Sequence, residues 1–478
     1  MSAQQAAHLL ESVRAGIPLS RVRALTPGVP ARDRAALVGP DAAPASGGQG
    51  SLVQSASGQA SSGQGPAGPG PDGVRASPRA QRLCTLLAAT AHAHPQRLAF
   101  IDPPHKPLWS GRPAITWTYA AAAEIVARLA NGLRTWRLAP ASRIGIALAG
   151  SSESFLAYLA VEAAGHIPCL LPLALDEEAL LAAVQAAALP AVITQTRFGA
   201  LNPAERLCRV AVRYFGLRYL AAFGPDVPDG VINLDAMALD QAGGPFADGP
   251  GGLISFAGGD PARPVHRSGD ALLAAIAVYR VTAGVLPGDR ILTLLPQGDL
   301  RGLVTGLGVA LVAGAGLETL PVFEARSFAA SLERPLPTRL VAPAALERNL
   351  AASRLPETLD SIVLAHRAPG HLGQRWLTPR AGRPIVDVVA FDETALLTGA
   401  REANDVALTL TYPERGPLFS TLMALRRDAD GRLAFRGRAC HAGALQRDIA
   451  IPETADEWTP APFVTSVADD RTLAILRA

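Results

Sequence analysis

Lysine is almost absent from this 478-residue chain: Lys106 is the only one, and arginine supplies the rest of the positive charge. Any mechanism that needs a lysine at another position is excluded. Cysteine is equally sparse, and Cys84, Cys169, Cys208 and Cys440 lie far apart with no C-x-x-C spacing. That argues against a zinc site and a disulfide scaffold, and it fits a reducing cytoplasm. The formal net charge is only +3 and the basic residues are scattered, so no electrostatic footprint for nucleic acid stands out. No apolar run reaches the roughly 20 residues of a membrane span. The longest uncharged one, Gly302 to Leu317, reads as a buried helix. Residues 1–5 are not a basic segment leading into an apolar run, so no secretory signal is expected.

What is present is core-forming material. With 49% apolar and 18% charged residues the chain has ample substance for a buried interior. The distribution is uneven. Residues 1–80 open with a short amphipathic pattern over Ala6 to Val13 and then become rich in Gly, Ser, Pro and Ala. Such a segment cannot bury enough apolar surface to offset its ordering entropy and is expected to form a disordered tail.

From Arg82 helical periodicity, over Leu83 to Ala93 and Tyr119 to Leu133, alternates with short apolar runs at Ile144 to Leu148, Ile167 to Leu173 and Ala191 to Thr194. The alternation predicts strand-helix-strand units on a mostly parallel sheet. A second set starts at Gly252, with strands predicted at Leu253 to Phe256, Ile291 to Leu295, Gly316 to Leu320, Arg339 to Ala342 and Ser361 to Ala365. Beyond residue 385 the pattern changes to short strands: Val406 to Tyr412, Thr421 to Arg426, Leu433 to Gly437 and Leu473 to Leu476. The expected architecture is therefore α/β, with two mostly parallel sheets flanked by helices (81–250 and 251–385) and a small β-rich subdomain (386–478).

The order of segments carries a resemblance. Ile115-Thr-Trp-Thr-Tyr119, a helix, Arg143-Ile-Gly-Ile-Ala-Leu148, a helix over Glu153 to Ala164, and Gly165-His-Ile-Pro-Cys-Leu170 follow one another at the spacing of "LTYxEL", "DRVALLL" and "AGAVPVPL". The chain from about residue 82 resembles the large domain of acyl-adenylate-forming enzymes, the AMP-dependent synthetases and ligases that include acyl-CoA synthetases and fatty acyl-AMP ligases. The resemblance implies ATP and Mg²⁺ as cofactors if the chain is active, none otherwise, and a small carboxylic acid, such as a fatty acid, as substrate.

The same resemblance assigns the site residues. Phe256 to Val265 aligns with F-T-S-G-S-T-G-x-P-K, the loop that cradles the ATP phosphates with amides, hydroxyls and a lysine. Here Gly258, Gly259, Asp260, Arg263 and Pro264 occupy it, Asp260 brings a negative charge, Pro261 lacks an amide hydrogen and Val265 replaces the lysine. Losing one such donor costs about 10²–10³ in rate, or roughly 2.7–4 kcal/mol. Arg263, Arg267 and Arg280 are the arginines that could return the charge.

Leu295 to Leu303 resembles "LPLFHDMGL" and sets Asp299 at the histidine of the acyl-pocket wall; its plainer reading is a strand followed by a buried helix. Asp387 to Thr394 fits N-x-Y-G-x-T-E, which places Val389, Ala390 and Asp392 beside adenine and makes Glu393 the Mg²⁺ ligand. Ser466 stands at the ribose-binding aspartate. By the resemblance the chain stops near the family's hinge, and the mobile C-terminal domain with its own catalytic lysine is expected to be missing. Two functions follow: a catalytically impaired pseudoenzyme that binds an acyl group, a nucleotide or a protein partner, or an active ligase that borrows a C-terminal domain in trans.

Overall fold

Short strands, most of them wholly buried, assemble into two eight-stranded sheets. The computed structural model describes residues 82–368, 370–371, 375–401, 421–440, 443–445, 458–469 and 472–477. The expected tail 1–80 and the predicted strand at Val406 to Tyr412 lie outside the described residues.

The first sheet runs Gly443–Ala444, Pro264–Arg267, Leu253–Phe256, Ile167–Leu170, Arg143–Ile146, Ala191–Gln195, Tyr219–Phe223, Ile232–Asn233. Leu253–Phe256 and the strands beyond it are parallel, whereas Pro264–Arg267 folds back antiparallel on Leu253–Phe256. The second runs Ala395–Ala400, Ile385–Phe391, Leu359–Arg367, Thr338–Pro343, Arg290–Thr293, Gly316–Thr319, Leu98–Ile101, Thr116–Thr118, with only its two edge strands antiparallel. Both faces of such sheets need cover, which explains continuous apolar runs such as Leu253–Phe256 and Ile385–Phe391. A small antiparallel sheet, Gly370–His371, Thr472–Arg477, Thr459–Asp469, Arg432–Arg436, Ala424–Arg427, completes the β structure. The expected fold class is thus the one observed.

Helices cover the sheets. Every residue of Ser152–Ala163 is buried, so this helix is packed on all sides. Tyr119–Arg134 is amphipathic, and its N-terminus is capped by Thr118, whose hydroxyl accepts from the Ala121 amide at 3.2 Å. The run from Gly302 to Leu317 is not one helix. It passes through a π-helical turn, Leu303–Gly308, and an α segment, Val309–Ala313, and stops where Gly314 adopts φ +67°. The chain then enters the strand Gly316–Thr319. Among the described residues no helix is long and apolar enough to cross a membrane.

Sheet membership crosses the expected boundaries at 250 and 385. Leu253–Phe256 and Pro264–Arg267 join the first sheet, Leu98–Ile101 joins the second, and Ile385–Phe391 with Ala395–Ala400 extend the second sheet instead of the small one. Strand register decides this: Ala365, His366 and Arg367 pair in parallel with Val388, Val389 and Ala390. The crossings bring the hairpin after Phe256, the carboxyl end of Leu359–Arg367 and the turn after Phe391 to one place.

Candidate functional site

The hairpin that joins Leu253–Phe256 to Pro264–Arg267 contains the Gly258–Pro264 stretch. Gly258 (φ +65°) and Gly259 (φ +70°) take left-handed conformations that favour glycine, and Gly258, Gly259, Asp260 and Arg263 are exposed. The loop satisfies its own donors. The Ala257 amide donates to the Arg263 carbonyl (2.9 Å), Asp260 to the Ala257 carbonyl (3.0 Å), Arg263 to the Asp260 carbonyl (3.0 Å) and Ala262 to Asp260 Oδ1 (2.9 Å). The Gly258 amide donates to Asp392 Oδ1 at 2.5 Å. Pro261 and Pro264 have no amide hydrogen to offer.

Asp392 and Glu393 form the turn between Ile385–Phe391 and Ala395–Ala400. Asp392 has φ +55°, a conformation aspartate tolerates better than most residues. Glu393 is buried, and its Oε2 accepts from Ser255 Oγ (2.7 Å) and the Leu300 amide (3.1 Å). The buried Arg267 holds the turn from below, donating to the Glu393 and Thr394 carbonyls (both 2.8 Å) and the Ala439 carbonyl (2.6 Å). Burial and then the Asp299 charge push the Glu393 carboxyl up to about 7, against the pull of Ser255, Arg367 and the Leu300 amide.

Asp299 caps a helix. Its Oδ1 accepts from the Gly302 amide (3.1 Å) and its Oδ2 pairs with Arg301 (2.7 Å). The strand before this segment ends at Thr293, and turns lead from it to the short helix Leu300–Gly302. Gly302 fits only because it lacks a side chain: a Cβ there would meet the Pro296 carbonyl oxygen at 1.8 Å.

One residue that sequence reasoning missed stands at the centre. Arg367, at the carboxyl end of Leu359–Arg367, places its guanidinium 3.7 Å from Asp299 Oδ2, 3.7 Å from Asp392 Oδ1 and 3.9 Å from Glu393 Oε1. The apolar run ending at Ala365 indicated the strand, but register alone reveals what its last residue faces.

The structure thus brings together Gly258, Asp299, Asp392 and Glu393 of the expected site. Val389 and Ala390 are buried inside a strand, at 1% and 2% exposure, with no surface open to an adenine ring. Of the three arginines considered as replacements for the lysine, Arg263 is exposed on the hairpin itself, Arg267 is committed to carbonyls and Arg280 lies on the helix Gly269–Ala283. Ser466 pairs through its backbone with Ala474, and its side chain lies outside the described residues.

Lys106 is fully buried, 2.6 Å from both Asp102 and Glu153, in a network that Arg112 and Asp235 extend. Its ammonium is structural. A separate cavity of 760 Å³ lies against the second sheet, lined by Leu294, Phe328, Leu332 and Leu350 but also by Glu333 and Arg354. Leu364 joins the cluster beneath it, and Arg367, three residues further along the strand, projects from the opposite face.

Comparison with known proteins bears on the fold. Residues 87–217 match the family model of AMP-binding enzymes. No curated protein matches by sequence. Among solved structures, the N-terminal domain of FACL13 from Mycobacterium tuberculosis superposes with a TM-score of 0.61 at 16% identity, over 83% of this chain and 100% of that one. ATP-bound MatB from Rhodopseudomonas palustris gives 0.60 at 17% identity, over 82% and 78%. O-succinylbenzoate coenzyme A synthetase from Bacillus subtilis, in complex with ATP and magnesium, gives 0.60 at 15% identity, over 82% and 98%. The chain has the fold of these synthetase structures, and residues 87–217 carry the AMP-binding family pattern.

Proposed function

We propose that this chain uses the adenylate-forming fold without adenylating: it is a pseudoenzyme that binds an acyl group or a nucleotide and acts through that binding or through a protein partner. The observation that carries the reading is the Gly258 amide. It is bonded to the carboxylate of Asp392, so the loop expected to receive phosphate oxygens already receives an oxygen of the chain itself. Asp260 adds a second carboxylate on the same turn, bonded to the Ala262 amide. A triphosphate brought here would displace these acceptors and meet their charge.

The nearby cations other than Arg263, which is exposed on the same hairpin, are committed elsewhere. Arg301 is paired with Asp299, Arg267 is bound to carbonyls, and Arg367 faces three carboxylates. The only lysine is spent on Asp102 and Glu153. Apolar ligand binding outlasts such changes more readily, because apolar walls tolerate substitution that a phosphate cradle does not. The 760 Å³ cavity is one described place for such a ligand, and Glu393 is not among its lining residues. Four free cysteines support a reducing, cytoplasmic setting.

The alternative, an active carboxylate-adenylating ligase completed in trans, draws support from one feature: Glu393 is retained and buried beside an arginine. ATP–pyrophosphate exchange with a panel of carboxylic acids separates the two. The pseudoenzyme gives none; the ligase gives exchange with at least one acid.

A further inference from the structure

The fold implies a magnesium ion beside Glu393, and the residues around it do not fit one. A divalent cation at such a site takes carboxylate oxygens as ligands at about 2.0–2.6 Å, with water or phosphate oxygen completing the shell. Here Glu393 Oε2 is already engaged by Ser255 Oγ and the Leu300 amide, and Asp392 Oδ1 by the Gly258 amide. The space facing Glu393 Oε1, Asp392 Oδ1 and Asp299 Oδ2 holds a guanidinium, at 3.9, 3.7 and 3.7 Å. Among the described residues no group of three or more His, Cys, Asp or Glu is arranged to hold a metal.

We infer that Arg367 is a built-in counter-ion that replaces the divalent cation of this fold, so that the site is charge-compensated by the chain itself. The inference extends the proposed loss of adenylation but rests on different atoms, the guanidinium and the three carboxylates around it. Arginine suits the role because it stays protonated and spreads its charge over a plane, which lets one side chain face three acceptors at once. Its position is fixed by secondary structure: the parallel register of Arg367 with Ala390 delivers it beside the turn that begins two residues later at Asp392. The distances exceed hydrogen-bond length, so the guanidinium balances charge without locking any one carboxylate. Divalent cations are held off by a positive charge in their place.

The test uses the full chain and Mn²⁺ and Mg²⁺ as probes, without nucleotide. Thermal unfolding is followed with and without millimolar metal for the wild type, Arg367→Gln, Arg367→Lys and Glu393→Gln, and Mn²⁺ binding is read by water-proton relaxation. The expected result is no saturable Mn²⁺ binding and no metal-dependent shift for the wild type and Arg367→Lys. Arg367→Gln, which leaves Asp392 and Glu393 without the facing guanidinium while Asp299 keeps Arg301, unfolds at a lower temperature and recovers roughly 2 °C or more on adding metal. Saturable Mn²⁺ binding by the wild type that Glu393→Gln abolishes would overturn the inference, as would a folded Arg367→Gln protein indifferent to metal. If Arg367→Gln does not fold, the wild type and Glu393→Gln decide the matter by the first criterion. Pyrophosphate exchange reports on adenylation separately, so metal binding without exchange overturns this inference alone.

Discussion

The Gly258 amide and the Asp392 carboxylate, 134 residues apart, meet at 2.5 Å. This contact ties the hairpin of the first sheet to the turn that closes the last strands of the second. It also fixes the sign of charge that the hairpin meets. Moving a unit negative charge away from about 4 Å of a phosphate is worth roughly 1–4 kcal/mol, depending on local polarity. The triple variant Asp260→Ser, Val265→Lys, Asp392→Thr should therefore gain ATP affinity, by roughly tenfold for each carboxylate removed. Calorimetric titration of the single, double and triple variants checks this, and a flat series refutes it.

Lys106 should matter to stability and not to ligand binding. Removing one member of a buried ion pair leaves its partners uncompensated and costs about 3–5 kcal/mol. Lys106→Met is expected to lower the denaturation midpoint accordingly, because Asp102 loses its ammonium partner in an enclosed site while Glu153 keeps only Arg112. A midpoint near that of the wild type would show that the network is soft.

Stability should fall as pH rises through neutrality because of Glu162. Burial raises its carboxyl to about 7, although the Cys84 and Gly252 amides and Arg82 pull the other way. The folded state then holds a proton that the unfolded chain releases near 4.5. Its contribution is complete below about 4.5, declines as pH passes through about 7, and amounts to about 3 kcal/mol in all. Urea denaturation at pH 5 and pH 8 measures the difference, and Glu162→Gln should reduce it without abolishing it, because Glu393 is shifted in the same direction.

Asp387 sets the opposite limb. Burial alone would raise its carboxyl, but hydrogen bonds from His366 (2.9 Å) and Arg401 (2.7 and 2.9 Å) prevail and hold it at about 2. A depressed carboxyl stabilises the fold above its unfolded value of 3.8, and the contribution is lost as pH falls toward 2, about 2 kcal/mol in total. Asp387→Asn should give a shallower acid limb in a pH series of thermal melts.

The fold was largely legible because its signals are local. Leu83–Ala93 and Leu253–Phe256 match their predicted limits, and Ala191–Gln195 and Thr338–Pro343 differ from prediction by a residue or two at their ends. Apolar periodicity records burial residue by residue, which is why these elements could be read. Sheet membership could not be, since periodicity does not record which strand lies alongside; Ile385–Phe391 was assigned beyond the second sheet for that reason. The site divides in the same way. Asp260 and Val265 announce the change in the hairpin by their own chemistry, whereas Arg367 acquires a role only through register with a strand more than twenty residues further along. The burial of Val389 and Ala390 was likewise not legible, because a matching position on a strand does not disclose which faces are covered.

The most direct test of the account is Mg·ATP titration of the full chain, followed by ATP–pyrophosphate exchange with aliphatic and aromatic carboxylic acids. The account predicts no exchange above the protein-free background with any acid, and no Mg²⁺-dependent heat of ATP binding. Exchange with a single acid that disappears in Glu393→Gln would contradict it, and would show that the hairpin accepts a triphosphate despite Asp260 and Asp392.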